Sequence, residues 1–277
     1  MERAMINIAE SVNDRVPIPD DEYLGDDGLL HCKVCHKQTQ TVVEIFGVRK
    51  KVRCICDCIK KDMEEREKRE RQQEFDRMRM VCFGEAYREM VDWTFDNDDR
   101  RDAKIADAMR RYADGFAKFR EESKGLLLYG DVGTGKTYYA ACIANQLISN
   151  GYTVLMTNFA TLTNKIQGTF DGKQELIDSL NRYSLLIIDD LGTERNTDYM
   201  KELVFNIIDA RYRSGLPMIL TTNLPMDEIK KSNDIGYTRI YDRILERCFP
   251  VAVKGHSRRR QHVRDSYVNM KDELGIS

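Results

Sequence analysis

Five short apolar runs punctuate the C-terminal two-thirds of the chain, at residues 125–129, 153–157, 184–189, 217–223 and 248–253. Each is continuous rather than alternating, the pattern of a strand buried on both faces, and the longer stretches between them read as helices. Their alternation predicts a parallel α/β sheet of five strands covered on both sides. Upstream the pattern changes. Residues 59–80 are a dense run of alternating charge without Gly or Pro, which predicts a solvated helix. Residues 41–47 are a β-like run followed by a basic turn at 48–51, together predicting a hairpin. Residues 1–28 are acidic and aperiodic. The chain therefore divides into an acidic leader (1–28), a small module (29–58), a helical linker (59–80) and an α/β domain (81–277).

Composition narrows the classes. The 277 residues are 42% hydrophobic and 32% charged, with a formal net charge of −2. No overall basic field argues for nucleic acid, so such contacts must come from local patches. No apolar run approaches the roughly 20 residues that cross a bilayer, and the N-terminus has no secretory pattern. No membrane association and a cytoplasmic location are expected. Eight cysteines in a reducing compartment more often hold metal than form disulfides.

Five of those cysteines lie in the small module: Cys32 and Cys35, then Cys54, Cys56 and Cys58. A C-x-x-C turn presents two thiolates to one ion, and a second knuckle across a hairpin supplies two more, as in a zinc ribbon. About 30 residues bury too little apolar surface alone, so Zn²⁺ would supply folding energy. Cys32 and Cys35 plus two of Cys54, Cys56 and Cys58 are the expected ligands. Cys82, Cys142 and Cys248 are isolated and expected in the core.

The chemistry of the large domain begins after its first strand. Gly130, Asp131, Val132, Gly133, Thr134, Gly135, Lys136 and Thr137 fill every fixed position of G-x-x-x-x-G-K-[ST], between a predicted strand and a predicted helix at 138–148. Glycines let backbone N–H groups curl around phosphate oxygens, and the helix N-terminus adds partial positive charge. Lys136 is expected on the β- and γ-phosphates of ATP, and Thr137 on Mg²⁺. The apolar strand before Asp189 and Asp190 puts a carboxylate beside that loop. Asp189 is expected to hold Mg²⁺ and Asp190 to orient or deprotonate the attacking water. Asn223 ends the next apolar run, where its amide would meet the γ-phosphate or that water. Arg239 and Arg243 stand at i, i+4 on a late helix and read as fingers completing a neighbouring subunit's site, the alternative being pairing within the chain to Asp242 or Glu246. One arginine of 258–260 would sense nucleotide in its own chain, or the cluster would form a basic surface for DNA.

These motifs together resemble the DnaC/DnaI-type helicase loaders of the AAA+ class, in the form encoded by phages and mobile elements. The likeness covers roughly residues 30–262 and rests on the cysteine module, Trp93-Thr-Phe95, the glycine loop, the strand ending at Asp189-Asp190, Thr221-Thr-Asn223, Arg239-Ile-Tyr-Asp-Arg243 and Gly255-His-Ser-Arg-Arg259. The resemblance implies that Trp93 and Phe95 lie near the adenine, Asn223 is sensor 1, Arg239 is the arginine finger and sensor 2 is an arginine. Family members carry Ser-Tyr-Arg at that last site. Here Arg258 replaces the tyrosine, so Arg258 and Arg259 both remain candidates. A short or absent helical lid is also implied. The small module would grip a replicative hexameric helicase, and the α/β domain would self-associate and meet single-stranded DNA. The segment 159–183, with Lys165, Phe170, Lys173 and Arg182, could line the DNA path or simply cover the sheet. The rival functions are a transposition helper ATPase of IstB type that recruits a transposase, and a metal-stabilised adaptor that uses ATP only as a structural switch.

Overall fold

The computed structural model describes residues 17–100, 102–167, 172–194, 197–232, 234–255 and 257, with isolated positions 267, 270 and 274. The chain separates into two compact units, Met1–Glu74 and Phe75–Ser277.

The first unit is built from two small antiparallel pairs. Strands β1 (Glu22–Leu24) and β2 (Leu30–Cys32) pair with Glu22 opposite Cys32. Strands β3 (Gln40–Ile45) and β4 (Val48–Arg53) form a hairpin with Ile45 opposite Val48. Residues 48–51 are thus strand rather than turn, which corrects the expectation above. The reversal falls at Phe46 and Gly47, which both have positive φ. Helix α1 (Asp57–Phe83) contains the charge run, and only Cys82 and Phe83 in it are buried. It lacks an apolar stripe long enough to pack, so its middle turns face solvent.

The second unit adds, in chain order, helices α2 (Ala103–Asp114) and α3 (Phe116–Glu121), strand β5 (Gly125–Tyr129), helix α4 (Lys136–Ser149), strand β6 (Val154–Thr157), helices α5 (Phe159–Gln167) and α6 (Gly172–Leu180), strand β7 (Leu185–Leu191), helix α7 (Asp198–Ser214), strand β8 (Met218–Thr222), helices α8 (Met226–Lys230) and α9 (Ile235–Arg247), and strand β9 (Cys248–Ala252). The five strands form one parallel sheet in the order β6-β7-β8-β5-β9. Successive strand residues serve opposite faces. Leu126 and Leu128 pack with α2 and α4, whereas Leu127 packs with α5, α7 and α9. This is why the strands read as unbroken apolar runs. Cys82, Cys142 and Cys248 lie in these cores as expected.

Helices α5 and α6 cover the sheet through Phe159, Leu162, Ile166, Ile177 and Leu180. Of the cations expected on a DNA path, Lys165 is exposed, and Lys173 is held 2.6 Å from Glu202. Phe170 lies outside the described residues, as does nearly everything past 257, where a lid would be.

Candidate nucleotide site and cysteine cluster

The glycine loop joins β5 to α4. Gly130 has φ 142°, and a Cβ there would come within 2.3 Å of the Val253 carbonyl oxygen. Gly133 has φ 84°, and a Cβ there would strike Ser257. Glycine is required at both by backbone conformation and by space. Lys136 is buried, and its ammonium donates to the carbonyls of Gly130 and Asp131, both at 2.7 Å. The loop thus holds a cation folded over its own backbone.

Strand β7 delivers two acids in opposite settings. Asp189 is buried, and its Oδ1 accepts from the hydroxyls of Thr137 at 2.9 Å and Thr221 at 2.6 Å. Asp190 is exposed and takes φ 57°, uncommon for a residue with a side chain. Its backbone N–H donates to the Thr221 hydroxyl at 2.9 Å, and Asn223 Nδ2 lies 3.4 Å from its carboxylate. Thr221 therefore fixes both acids. In sequence Thr221 signals no role, because a threonine in a β-strand is ordinary.

A cavity of about 750 Å³ opens over the loop, with Trp93, Gly133, Lys136, Thr137, Asp190 and Asn223 in its wall. Trp93 stands on one side, 5.6 Å between ring centres from Tyr138. Asn145, buried in α4, fixes that wall by donating to the carbonyls of Met90 and Trp93 at 2.9 and 2.8 Å. Phe95 does not reach the cavity. It is buried in the core, with the Arg110 guanidinium 5.3 Å from its ring centre. Tyr87 was not foreseen. Its hydroxyl accepts from Asn158 at 2.7 Å, and burial plus the charges of Asp189 and Asp190 push its pKa above the ordinary phenol value.

Arg239 and Arg243 of α9 separate. Arg239 is exposed, and its guanidinium pairs with no described residue, although its backbone carbonyl accepts from Arg243 at 3.2 Å. Arg243 is taken up within the chain, which departs from the expectation of two free guanidiniums. Its Nε donates to buried Asp209 at 2.7 Å, and its guanidinium lies 4.7 Å from the Phe205 ring centre. Neither lines the cavity over the glycine loop. Arg258 and Arg259 lie outside the described residues. Another arginine escaped notice altogether. Arg211 is 1% exposed and donates to the carbonyls of Leu180, Tyr183, Ser184 and Pro217, while burial lowers its pKa to about 10. It staples α7 to the ends of α6 and to the starts of β7 and β8.

In the first unit, the sulfurs of Cys32, Cys35, Cys56 and Cys58 all lie within 4.8 Å of one another. Ligands about 2.3 Å from a tetrahedral zinc stand about 3.8 Å apart, so the donor set and spacing fit Zn²⁺. Cys54 is not in the cluster. Its Sγ donates to the Gln38 carbonyl at 3.4 Å. The Lys37 N–H lowers the Cys35 thiol to about 6, and that neighbour raises Cys58 to about 12. Four crowded thiols resist carrying four negative charges without a cation among them.

A glycine loop between strand and helix, a carboxylate at the end of a neighbouring strand, and this sheet order define a P-loop nucleotide-binding protein of the AAA+ class. More particularly, residues 48–266 match the model of the IstB-like ATP binding protein family, and the chain belongs to that family. It is 32% identical over 146 residues to the protein named replicative helicase loader DnaC of Buchnera aphidicola subsp. Schizaphis graminum (strain Sg), covering 51% of this chain and 57% of that one. It is 26% identical over 167 residues to the replicative helicase loader DnaI of Bacillus subtilis (strain 168), covering 55% and 54%. The chain thus spans about half the length of the curated relatives it matches. The crystal structure titled as that of DnaI superposes with a TM-score of 0.52 at 26% identity, covering 62% of this chain and 93% of that one. No helix among the described residues is long and apolar enough to cross a membrane.

Proposed function

We propose that this chain is an ATP-dependent loader that places a replicative hexameric helicase on single-stranded DNA. The observation that carries the reading is a four-cysteine cluster on the same chain as a P-loop site whose curated relatives are named helicase loaders. A nucleotide site supplies a switch, and a separate small unit supplies something for the switch to act through.

In this reading the adenine lies against Trp93 and the phosphates against the loop. Lys136 leaves the carbonyls of Gly130 and Asp131 for the β- and γ-phosphates. The oxygens of Thr137 and Asp189 would hold Mg²⁺, which when bound neutralises phosphate charge. Asp190 takes a proton from the attacking water while the bond from the γ-phosphorus to the ADP oxygen breaks. Asn223 positions that water against Asp190. Arg239, exposed and unengaged, completes the site of an adjacent copy in an assembled oligomer. Loss of the γ-phosphate removes the bridge between copies and releases helicase or DNA. Cys32, Cys35, Cys56 and Cys58 would hold Zn²⁺, which when bound fixes the fold of the helicase-gripping unit.

Affinity capture with the full chain tests the assignment. A hexameric helicase should be retained by the wild type and lost with Cys32→Ala. Capture of a transposase instead would establish the rival role of a transposition helper. Turnover near zero with and without DNA would favour a structural switch.

A further inference from the structure

The β3–β4 hairpin carries a residue that its fold does not explain. Phe46 is fully exposed, at 103% of its reference surface. It also takes φ 52°, and Gly47 beside it φ 76°. Positive φ at both central residues is what a type I′ hairpin turn requires, and Asn-Gly or Asp-Gly is the preferred pair. A bulky aromatic in the left-handed region is an outlier with a conformational cost. It gains no burial in return, so folding gives no reason for phenylalanine here.

The strand leading away from that tip is cationic. Residues 40–53 hold Arg49, Lys50, Lys51 and Arg53 against the single acid Glu44. Two of the four cations tie the hairpin to its own unit. Arg53 pairs with Glu22 at 2.7 Å, and Lys51 donates to the Gly28 carbonyl at 2.9 Å. The other two, Arg49 and Lys50, are exposed, and their side chains pair with no described residue. Glu44 stands opposite Arg49 in the register, yet no ion pair joins them. The tip therefore presents an aromatic ring, flanked by exposed Ile45, with two unengaged cations within three and four residues of it.

We propose that the β3–β4 hairpin contacts single-stranded nucleic acid, with a base stacking on Phe46 and phosphates neutralised by Arg49 and Lys50. Stacking on an exposed aromatic beside a positive track is how single strands are bound without regard to sequence. The charge complementarity selects this occupant. The side chains that pair with nothing at the tip are two cations, Arg49 and Lys50, and one acid, Glu44, so their net charge is positive, and the exposed apolar area is a single ring and its neighbour rather than a broad face. The contact needs no nucleotide, so it stands or falls separately from the reading of the ATP site.

The probe is a fluorescein-labelled oligo-dT of 20 nucleotides, followed by anisotropy against the zinc-loaded full chain without ATP. Phe46→Asn restores the preferred turn pair, so the hairpin keeps or gains stability while the ring is lost. The expected result is a roughly 5- to 100-fold weaker affinity, the effect of removing one stacking platform. The double variant Arg49→Ala/Lys50→Ala should flatten the slope of log affinity against log salt by about 1.4, from two phosphates at about 0.7 each. Unchanged affinity with Phe46→Asn, or an unchanged salt slope in the double variant, overturns the proposal. So does loss of helicase capture by Phe46→Asn with DNA affinity intact.

Discussion

Thr221 shows how much a single side chain organises. One hydroxyl donates to buried Asp189 and accepts from the backbone of exposed Asp190. Removing it leaves both acids in place but loosens their aim. Thr221→Val should leave ATP affinity within about threefold and lower turnover by about 10- to 100-fold, the usual effect of losing a group that orients a site. Steady-state kinetics beside nucleotide titration checks this, and an unchanged kcat would remove Thr221 from the site. Lys136→Ala acts differently, because it deletes the charge that meets the phosphates. ATP binding by that variant should fall below detection in a fluorescent-nucleotide titration. Among the cysteines, Cys56→Ser should abolish zinc retention and Cys54→Ser should leave one zinc per chain. Elemental analysis after dialysis against a weak chelator reads this directly. Spacing could not choose among Cys54, Cys56 and Cys58, because each falls within reach of a second knuckle. The choice follows from the chain's turn into α1, where Cys56 and Cys58 join Cys32 and Cys35 while Cys54 still bonds the Gln38 carbonyl.

Elements were legible where burial is two-sided. The strands at 125–129 and 185–191 are apolar at nearly every position because both faces are covered, and no partner need be known to see that. Contacts between elements were not legible, because they join residues far apart in the chain. Arg243 lies 34 residues from Asp209, and its guanidinium looks the same in sequence whether it faces water or a buried acid. Asp209 is raised by burial but lowered further by hydrogen bonds from Arg213 and Arg243 and by their charges, so its pKa ends below the ordinary 3.8. A carboxyl lowered by folding stabilises the fold fully above 3.8, and that contribution is lost as pH falls through the lower folded value. Asp209→Asn should cost about 3 kcal/mol by leaving Arg243 without its anion, and should remove that part of the acid dependence. Urea unfolding followed at Trp93, the single tryptophan, measures both, and a stability equal to wild type at pH 7 would contradict the clamp. In helix α9 Arg243 is thus anchored and Arg239 presented. Arg239→Ala should spare ATP binding and lose turnover, and mixing it with Asp190→Asn should restore activity if Arg239 acts on the adjacent copy. Absence of rescue would place it elsewhere.

For the molecule as a whole, the proposed loading would divide between two units. One holds a four-cysteine cluster and a cationic hairpin, and the other holds a nucleotide cavity and the exposed Arg239. The identity of the large unit was written in its glycine loop and strand-end acids, because phosphate chemistry demands those residue types in that order. The partner proposed for the small unit rests on resemblance alone, since four thiols announce a metal and not a partner. The most direct test of ATP-driven loading is transfer of the fluorescent replicative hexamer from the same genome onto closed-circular single-stranded DNA, scored after gel filtration. With wild-type chain and ATP the helicase should co-elute with the DNA circle, and with Lys136→Ala it should stay off. Equal transfer by Lys136→Ala, or none by the wild type with ATP, would contradict the role assigned to this chain.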